Sequence, residues 1–119
     1  MCLKQERGKN GENLACQYLQ RNQYTIIDRN FRCRRGEIDI IACDIRKKEL
    51  VFFEVKTRSS LKYGRPSETI RKVKRNRIFT VAKYYQYQNK IRKIPIRFDV
   101  IEVLLTNSNY KINHIKQAF

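Results

Sequence analysis

The stretch GEIDIIACDIRKKELVFFEVKTR, residues 36–58, decides how this chain folds. Residues 37–43 and 49–57 are two runs rich in Ile, Val and Phe, the composition of buried β-strands. The link between them is short, so the two runs form an antiparallel hairpin. Its midpoint falls between Arg46 and Lys47, which pairs residues whose numbers add to 93. In that register Asp39 lies opposite Glu54, and Glu37 lies opposite Lys56. Opposed residues share a face, with Cβ atoms about 5 Å apart. Alternation along each strand also groups Glu37 with Asp39 and Glu54 with Lys56. A slip of one residue would send the two carboxylates to opposite faces.

Charged groups inside apolar strands need a reason. Two facing carboxylates repel, and partial burial sharpens the repulsion. A cation must compensate, and two are on offer. One is Lys56, in a plain salt bridge. The other is a divalent ion, since hard Mg²⁺ prefers carboxylate oxygens and retained waters. Glu12 adds a third carboxylate. It precedes Ala15, Cys16 and Leu19 by three, four and seven residues, which places it on the edge of a helical stripe that faces the sheet. The alternative for Glu12 is a solvent-facing residue favoured by the helix dipole.

Working outward, Leu14, Ala15, Tyr18 and Leu19 predict a helix over residues 9–22. Residues 24–32 read as a strand. A second helix is expected from about Ser67 to Tyr87. Ser67 follows Pro66 as N-cap, Glu68 suits the first turn, and Ile70, Val73, Ile78, Val81 and Tyr85 form the buried side. Residues 96–105, IRFDVIEVLL, make another strand after Pro95, and residues 110–116 a last short one. The order α-β-β-β-α-β-β gives a single-domain α/β sandwich, a central mixed sheet flanked by helices.

The 119 residues carry 27 Lys and Arg against 11 Asp and Glu, a net charge of +16. A charge of that size attracts polyanions, and nucleic acid is the first expected partner. An anionic membrane surface or a crowded ribonucleoprotein is the alternative. No segment approaches the ~20 apolar residues of a membrane span. The N-terminal MCLKQERGKNGEN lacks the apolar core of a signal peptide, so a cytoplasmic location is expected. Cys2, Cys16, Cys33 and Cys43 include no C-x-x-C pair, which argues for free thiols rather than a zinc site. The single histidine, His114, reads as structural.

Glu12, then GEID with Asp39, then FFEVKTR with Glu54 and Lys56, together resemble the PD-(D/E)xK nuclease superfamily. The helical Glu is similar to that of the archaeal Holliday-junction resolvase branch. The likeness is closer still to the YraN family of small bacterial proteins. It runs through KNGENLA, NFRCRRGEIDIIA, LVFFEVKTRSS, the YGRPSE loop and the terminal HIKQAF. One departure stands out: Ile38 replaces the proline that precedes the superfamily's aspartate.

The resemblance implies a restriction-endonuclease-like sandwich and a metal-dependent endonuclease acting on DNA, branched or damaged forms included. It implies that Asp39, Glu54 and the Val55 carbonyl bind Mg²⁺ or Mn²⁺. Lys56 would orient or activate water or stabilise charge on the phosphate, and Glu12 would assist from the helix. A homodimer on two-fold symmetric junctions follows by the same analogy.

The basic residues cluster around this centre. Arg32, Arg34 and Arg35 precede the GEID strand and Arg58 follows the E-x-K strand. Arg71, Lys72, Lys74, Arg75 and Arg77 crowd the start of the second helix, where like charges call for an anionic partner. Tyr84, Tyr85 and Tyr87 have base stacking as one reading and packing as the other. Two further classes compete with the enzyme. A non-catalytic nucleic-acid-binding protein on the same scaffold explains every feature except cleavage itself. A ribosome-associated assembly protein explains the charge but not the buried Asp39, Glu54 and Lys56.

Overall fold

A computed structural model describes residues 3–59 and 72–119. Five strands and two helices are present: α1 (Leu3–Arg21), β1 (Tyr24–Cys33), β2 (Gly36–Asp44), β3 (Glu49–Arg58), α2 (Lys72–Gln88), β4 (Ile96–Leu105) and β5 (Tyr110–Ile115). Cys2, Pro66, Ser67, Glu68, Ile70 and Arg71 lie outside the described residues, so the expected start of the second helix is not compared. The first helix begins six residues earlier than its apolar stripe predicts, at Leu3. It ends where Asn22 turns its backbone N–H back onto the Tyr18 and Leu19 carbonyls.

The strands form one sheet in the order β1-β2-β3-β4-β5. The first three make an antiparallel meander, β4 lies parallel to β3 after the α2 crossover, and β5 returns antiparallel to β4. This is the expected α/β sandwich with a mixed sheet. Each helix covers one face. Ala15, Cys16 and Leu19 of α1 pack on Tyr24, Ile40, Ala42, Val51, Phe53, Ile101 and Val103. Ile78, Val81, Ala82 and Tyr85 of α2 pack on Ile38, Ile41, Leu50, Phe52 and Val100. Val73 does not join them. It is 64% exposed, because it lies five residues before Ile78 and helical neighbours on one face are three or four apart.

The hairpin register is the expected one: Ile40–Phe53, Ile41–Phe52, Ala42–Val51, Cys43–Leu50 and Asp44–Glu49 all add to 93. The turn end of this hairpin is fixed by a buried ionic network. Arg97 donates to Asp44, Glu49, Asp99 and the Tyr24 hydroxyl at 2.7–3.0 Å. His114 bonds Asp99 through Nε2 at 2.7 Å and the Tyr18 hydroxyl through Nδ1 at 2.9 Å. Asp44 also accepts the backbone N–H groups of Arg46 and Lys47. Burial alone would raise both Asp44 and Asp99, yet hydrogen bonds outweigh it and hold both carboxyls below their usual range. For Asp44 they come from Arg97, Lys47 and Arg46, and for Asp99 from His114, Arg97 and the Gln117 N–H.

No helix among the described residues is long and apolar enough to cross a membrane. Cys16, Cys33 and Cys43 are free thiols.

Removing Arg97 strands three carboxylates with no cation at full strength. Arg97→Met is expected to lower unfolding free energy by about 3–5 kcal/mol, the scale for breaking a buried ion pair from one side. Tyr24→Phe, which deletes one hydrogen bond to Arg97, should lose only about 1 kcal/mol. Urea titration of the two variants checks the ranking.

Candidate active site

The ladder between β2 and β3 stops at Ile40–Phe53. Beyond it the strands part, and the expected ladder pairs Asp39–Glu54 and Glu37–Lys56 are not made. Asp39 fills the gap differently: its Oδ2 accepts the Val55 backbone N–H at 2.8 Å, taking the place of a strand carbonyl. Glu37 instead faces Arg32 of β1 and forms an exposed ion pair with it at 3.0 Å. The parting coincides with lost alternation. Ile38 and Ile41 join the same core beneath α2, although residues three apart on a regular strand face opposite ways. Across from this point, between the Arg29–Ile40 and Phe31–Ile38 pairs, Asn30 adopts a left-handed φ of 53°.

Asp39 is thereby set among carboxylates. Its pKa is pushed up to about 7, first by burial and next by the charge of Glu54, with smaller contributions from Glu12 and Glu37; the Val55 N–H opposes the rise. The charges of Glu54 and Glu12 thus both act on Asp39, although the ladder pair that grouped Asp39 with Glu54 in the sequence is not made. Glu12 is held from α1 by Arg29 Nη2 at 3.2 Å and Asn30 Nδ2 at 2.8 Å. Glycine makes that placement accessible. A Cβ on Gly11 would stand 2.0 Å from Thr57 Oγ1, so α1 approaches β3 only because residue 11 has no side chain.

Lys56 is half-buried on β3, and its partner across the parallel pair is Glu102 of β4. Glu102 is fully buried. Its Oε1 accepts Asn113 Nδ2 at 2.8 Å, while its Oε2 lies 3.9 Å from Arg58 Nε and accepts no hydrogen bond among the described residues. Sequence reasoning missed this carboxylate. The signal was available, because Glu102 interrupts the apolar run VIEVLL as Glu54 interrupts VFFEV.

The basic residues divide into two sets. Lys74 keeps an exposed side chain that reaches across to Glu54, its Nζ 2.5 Å from Glu54 Oε1. Arg77 stays exposed and borders, with Glu37, Glu54 and Lys74, a cleft of about 660 Å³. Arg34 and Arg35 are exposed on the β1–β2 turn, as are Arg32 on β1 and Lys72 on α2; Arg58 and Arg75 are half-buried. Among the described residues no group of three His, Cys, Asp or Glu side chains converges to hold a metal. The hard oxygen donors at the parting are the paired carboxyls of Asp39 and Glu54.

The structure thus defines a small α/β protein whose β2–β3 parting gathers carboxylates beside a lysine and a basic cleft. The chain belongs to the uncharacterised protein family UPF0102, whose model matches residues 11–103. It is 50% identical over 115 residues to a UPF0102 protein of Clostridium botulinum strain 657, covering 94% of this chain and 92% of that one. It is 46% identical over 114 residues to a UPF0102 protein of Clostridioides difficile strain 630, covering 96% of each. The matched region contains Glu12, Asp39, Glu54, Lys56 and Glu102.

Two outcomes follow from this geometry. Gly11→Ala should push α1 off β3 and lower stability by about 1–3 kcal/mol, the range for overpacking, with Thr57→Ala in the same chain restoring part of the loss. The second concerns Asp39. An unfolded aspartate ionises near pH 4, whereas folded Asp39 keeps its proton to about 7. Between those values the folded chain binds one proton more than the unfolded chain, so stability falls as pH rises and the loss is complete above the window. Asp39→Asn removes the titration but keeps an acceptor for the Val55 N–H. Its unfolding midpoint should exceed wild type by several degrees at about pH 8 and match it at about pH 4, as thermal melts would show.

Proposed function

We propose that this chain is a metal-dependent endonuclease that hydrolyses phosphodiester bonds of DNA. The observation that carries the reading is Asp39, a carboxylate set in the gap between two strands and crowded by Glu54 until its pKa reaches about 7. Crowding of this kind raises the energy of the folded chain, and strongly shifted groups in clefts mark functional sites. A divalent ion would relieve it. Mg²⁺ is commonly held by one or two carboxylates, with waters and substrate phosphate completing its shell, so two hard donors at the parting suit it. Asp39, through the oxygen not bonded to Val55, together with Glu54 and the Val55 carbonyl, would hold Mg²⁺ or Mn²⁺. When bound, the ion supplies an acidified water and neutralises charge on the phosphate.

The chain's own residues supply the rest. The Val55 N–H fixes the orientation of Asp39. Lys56 follows Glu54 by two residues and so shares its face. Lys56 would orient or activate the attacking water or stabilise charge on the phosphate. Glu12 braces the opposite side of the gap through Arg29 and Asn30. Lys74, now on Glu54, is placed to transfer to a phosphate entering the cleft, and Arg77 borders the same cleft. The resemblance to resolvases adds branched DNA as substrate form and a homodimer as assembly.

A second reading keeps the scaffold and removes the chemistry. In it the chain only binds nucleic acid, and the Glu54–Lys74 ion pair favours it by already neutralising one carboxylate. A cleavage panel of linear, nicked, flapped and four-way DNA with Mg²⁺ or Mn²⁺ separates the two. Asp39→Asn, Glu54→Gln and Lys56→Ala should each reduce cleavage by at least roughly a hundredfold, the scale of one preorganised electrostatic group, with Glu12→Gln reducing it less. Equal residual cleavage in wild type and Glu54→Gln would identify a contaminant and leave the binding reading in place.

A further inference from the structure

The outward side of α2 carries side chains that the catalytic pair does not use. Val73, Asn76, Arg77, Thr80, Tyr84 and Tyr87 recur at steps of three and four residues and so form one stripe. It lies opposite the buried Ile78, Val81, Ala82 and Tyr85. Three large apolar side chains on it face solvent: Val73 is 64% exposed, Tyr84 45% and Tyr87 84%. Of the three tyrosines of this helix Tyr85 is buried, Tyr84 meets the Phe31 ring at a centroid distance of 6.3 Å, and Tyr87 stands most exposed.

The surface recesses follow the stripe. The cleft at Glu54 includes Val73 and Arg77 in its wall. A second recess, of about 260 Å³, shares those two residues and adds Arg35, Asn76 and Thr80. A third, of about 860 Å³, opens past the end of the helix beside Tyr87, Lys90, Ile91 and Arg92. From Val73 to Tyr87 the stripe runs about 20 Å. Cations therefore stand at both ends of the path, Arg35 and Arg77 near the carboxylates and Lys90 and Arg92 past the helix, with the rings of Tyr84 and Tyr87 between them. The charge selects an anion, consistent with the net +16 of the chain. The rings select a ligand with open planar faces. An intact duplex keeps its base faces inside the stack, whereas unpaired bases offer them to tyrosine.

We infer that the α2 stripe, from Arg77 to Tyr87 and on to Lys90 and Arg92, is a track for single-stranded nucleic acid continuing from the cleft. It has room for up to about six nucleotides at stacked spacing. The substrate class that fits is a duplex bearing an unpaired arm next to the scissile phosphate. That assignment of substrate rests on the nuclease reading; the binding track itself does not.

The test is metal-free binding, measured by fluorescence anisotropy on a short oligothymidylate, a blunt duplex and the same duplex with a single-stranded arm. Wild type should prefer the armed to the blunt duplex. Tyr87→Ala and Tyr84→Ala should each weaken oligothymidylate and armed duplex by about fivefold to a hundredfold, and blunt duplex by less than about twofold. Tyr87→Phe should restore wild-type binding. Tyr87 is too exposed for its loss to unfold the chain, and a thermal melt of each variant verifies this. Equal losses on all three probes, or none on any, would overturn the track. Selective binding without any cleavage would keep the track and remove the enzyme. Cleavage abolished by Glu54→Gln but indifferent to both tyrosines would keep the enzyme and remove the track.

Discussion

The Arg97 guanidinium bonds side chains of four strands, β1 to β4, and reaches β5 through Asp99. It and the partners it organises draw Tyr24 from β1, Asp44 from β2, Glu49 from β3, Asp99 from its own strand, His114 from β5 and Tyr18 from α1. A planar fork with five donors can satisfy several carboxylates at once, which an ammonium cannot do with fixed geometry. Apart from the two bonds to Asp99, which stay within β4, each crosses a different pair of elements. The network therefore sets strand order and register together, and the hairpin register follows because Asp44 and Glu49 are tied to the same cation. Such a cluster is a device for specificity more than for stability, since buried ions must first lose their water.

The other end of the hairpin is built differently. There the ladder ends, Asp39 takes over a backbone donor, and Glu54 presses on it electrostatically. The two ends of β2 and β3 thus treat carboxylates in opposite ways. Near the turn Asp44 and Asp99 are neutralised and pulled below their normal pKa range; at the parting Asp39 is left to hold a proton. Rigid support behind a strained polar cluster is what a site needs if its geometry is to survive the repulsion within it.

Much of this was legible in the sequence because short-range rules decide it. Apolar runs fixed the strands, and a five-residue polar link fixed the hairpin register. Helical spacing put Glu12 on the sheet side of α1. Long-range placement was harder. The register rule assumes an unbroken ladder, so it put Glu37 across from Lys56; the β2–β3 ladder ends at Ile40–Phe53, and Glu37 pairs with Arg32 of β1. Val73 was assigned to the core from its hydrophobicity, although its spacing from Ile78 already pointed outward. Lys74 read as one more phosphate-facing cation, although it precedes Ile78, Val81 and Tyr85 by four, seven and eleven residues and so starts from their side of α2. Arg97, Asp99 and Glu102 sit in a strand correctly located from its apolar residues, and their charges went unquestioned. A buried charge in any strand poses the same problem as Asp39 did.

The parting of the ladder also divides the site between two bodies. Asp39 rides on the β1–β2 arm, while Glu54 and Lys56 ride on β3, which continues to pair with β4 as far as Arg58. Joined by the ladder at the turn, the two arms are bridged at the parting by the bond from the Val55 N–H to the Asp39 carboxyl. The carboxylate spacing therefore depends on that bridge as much as on the twist of the two strands.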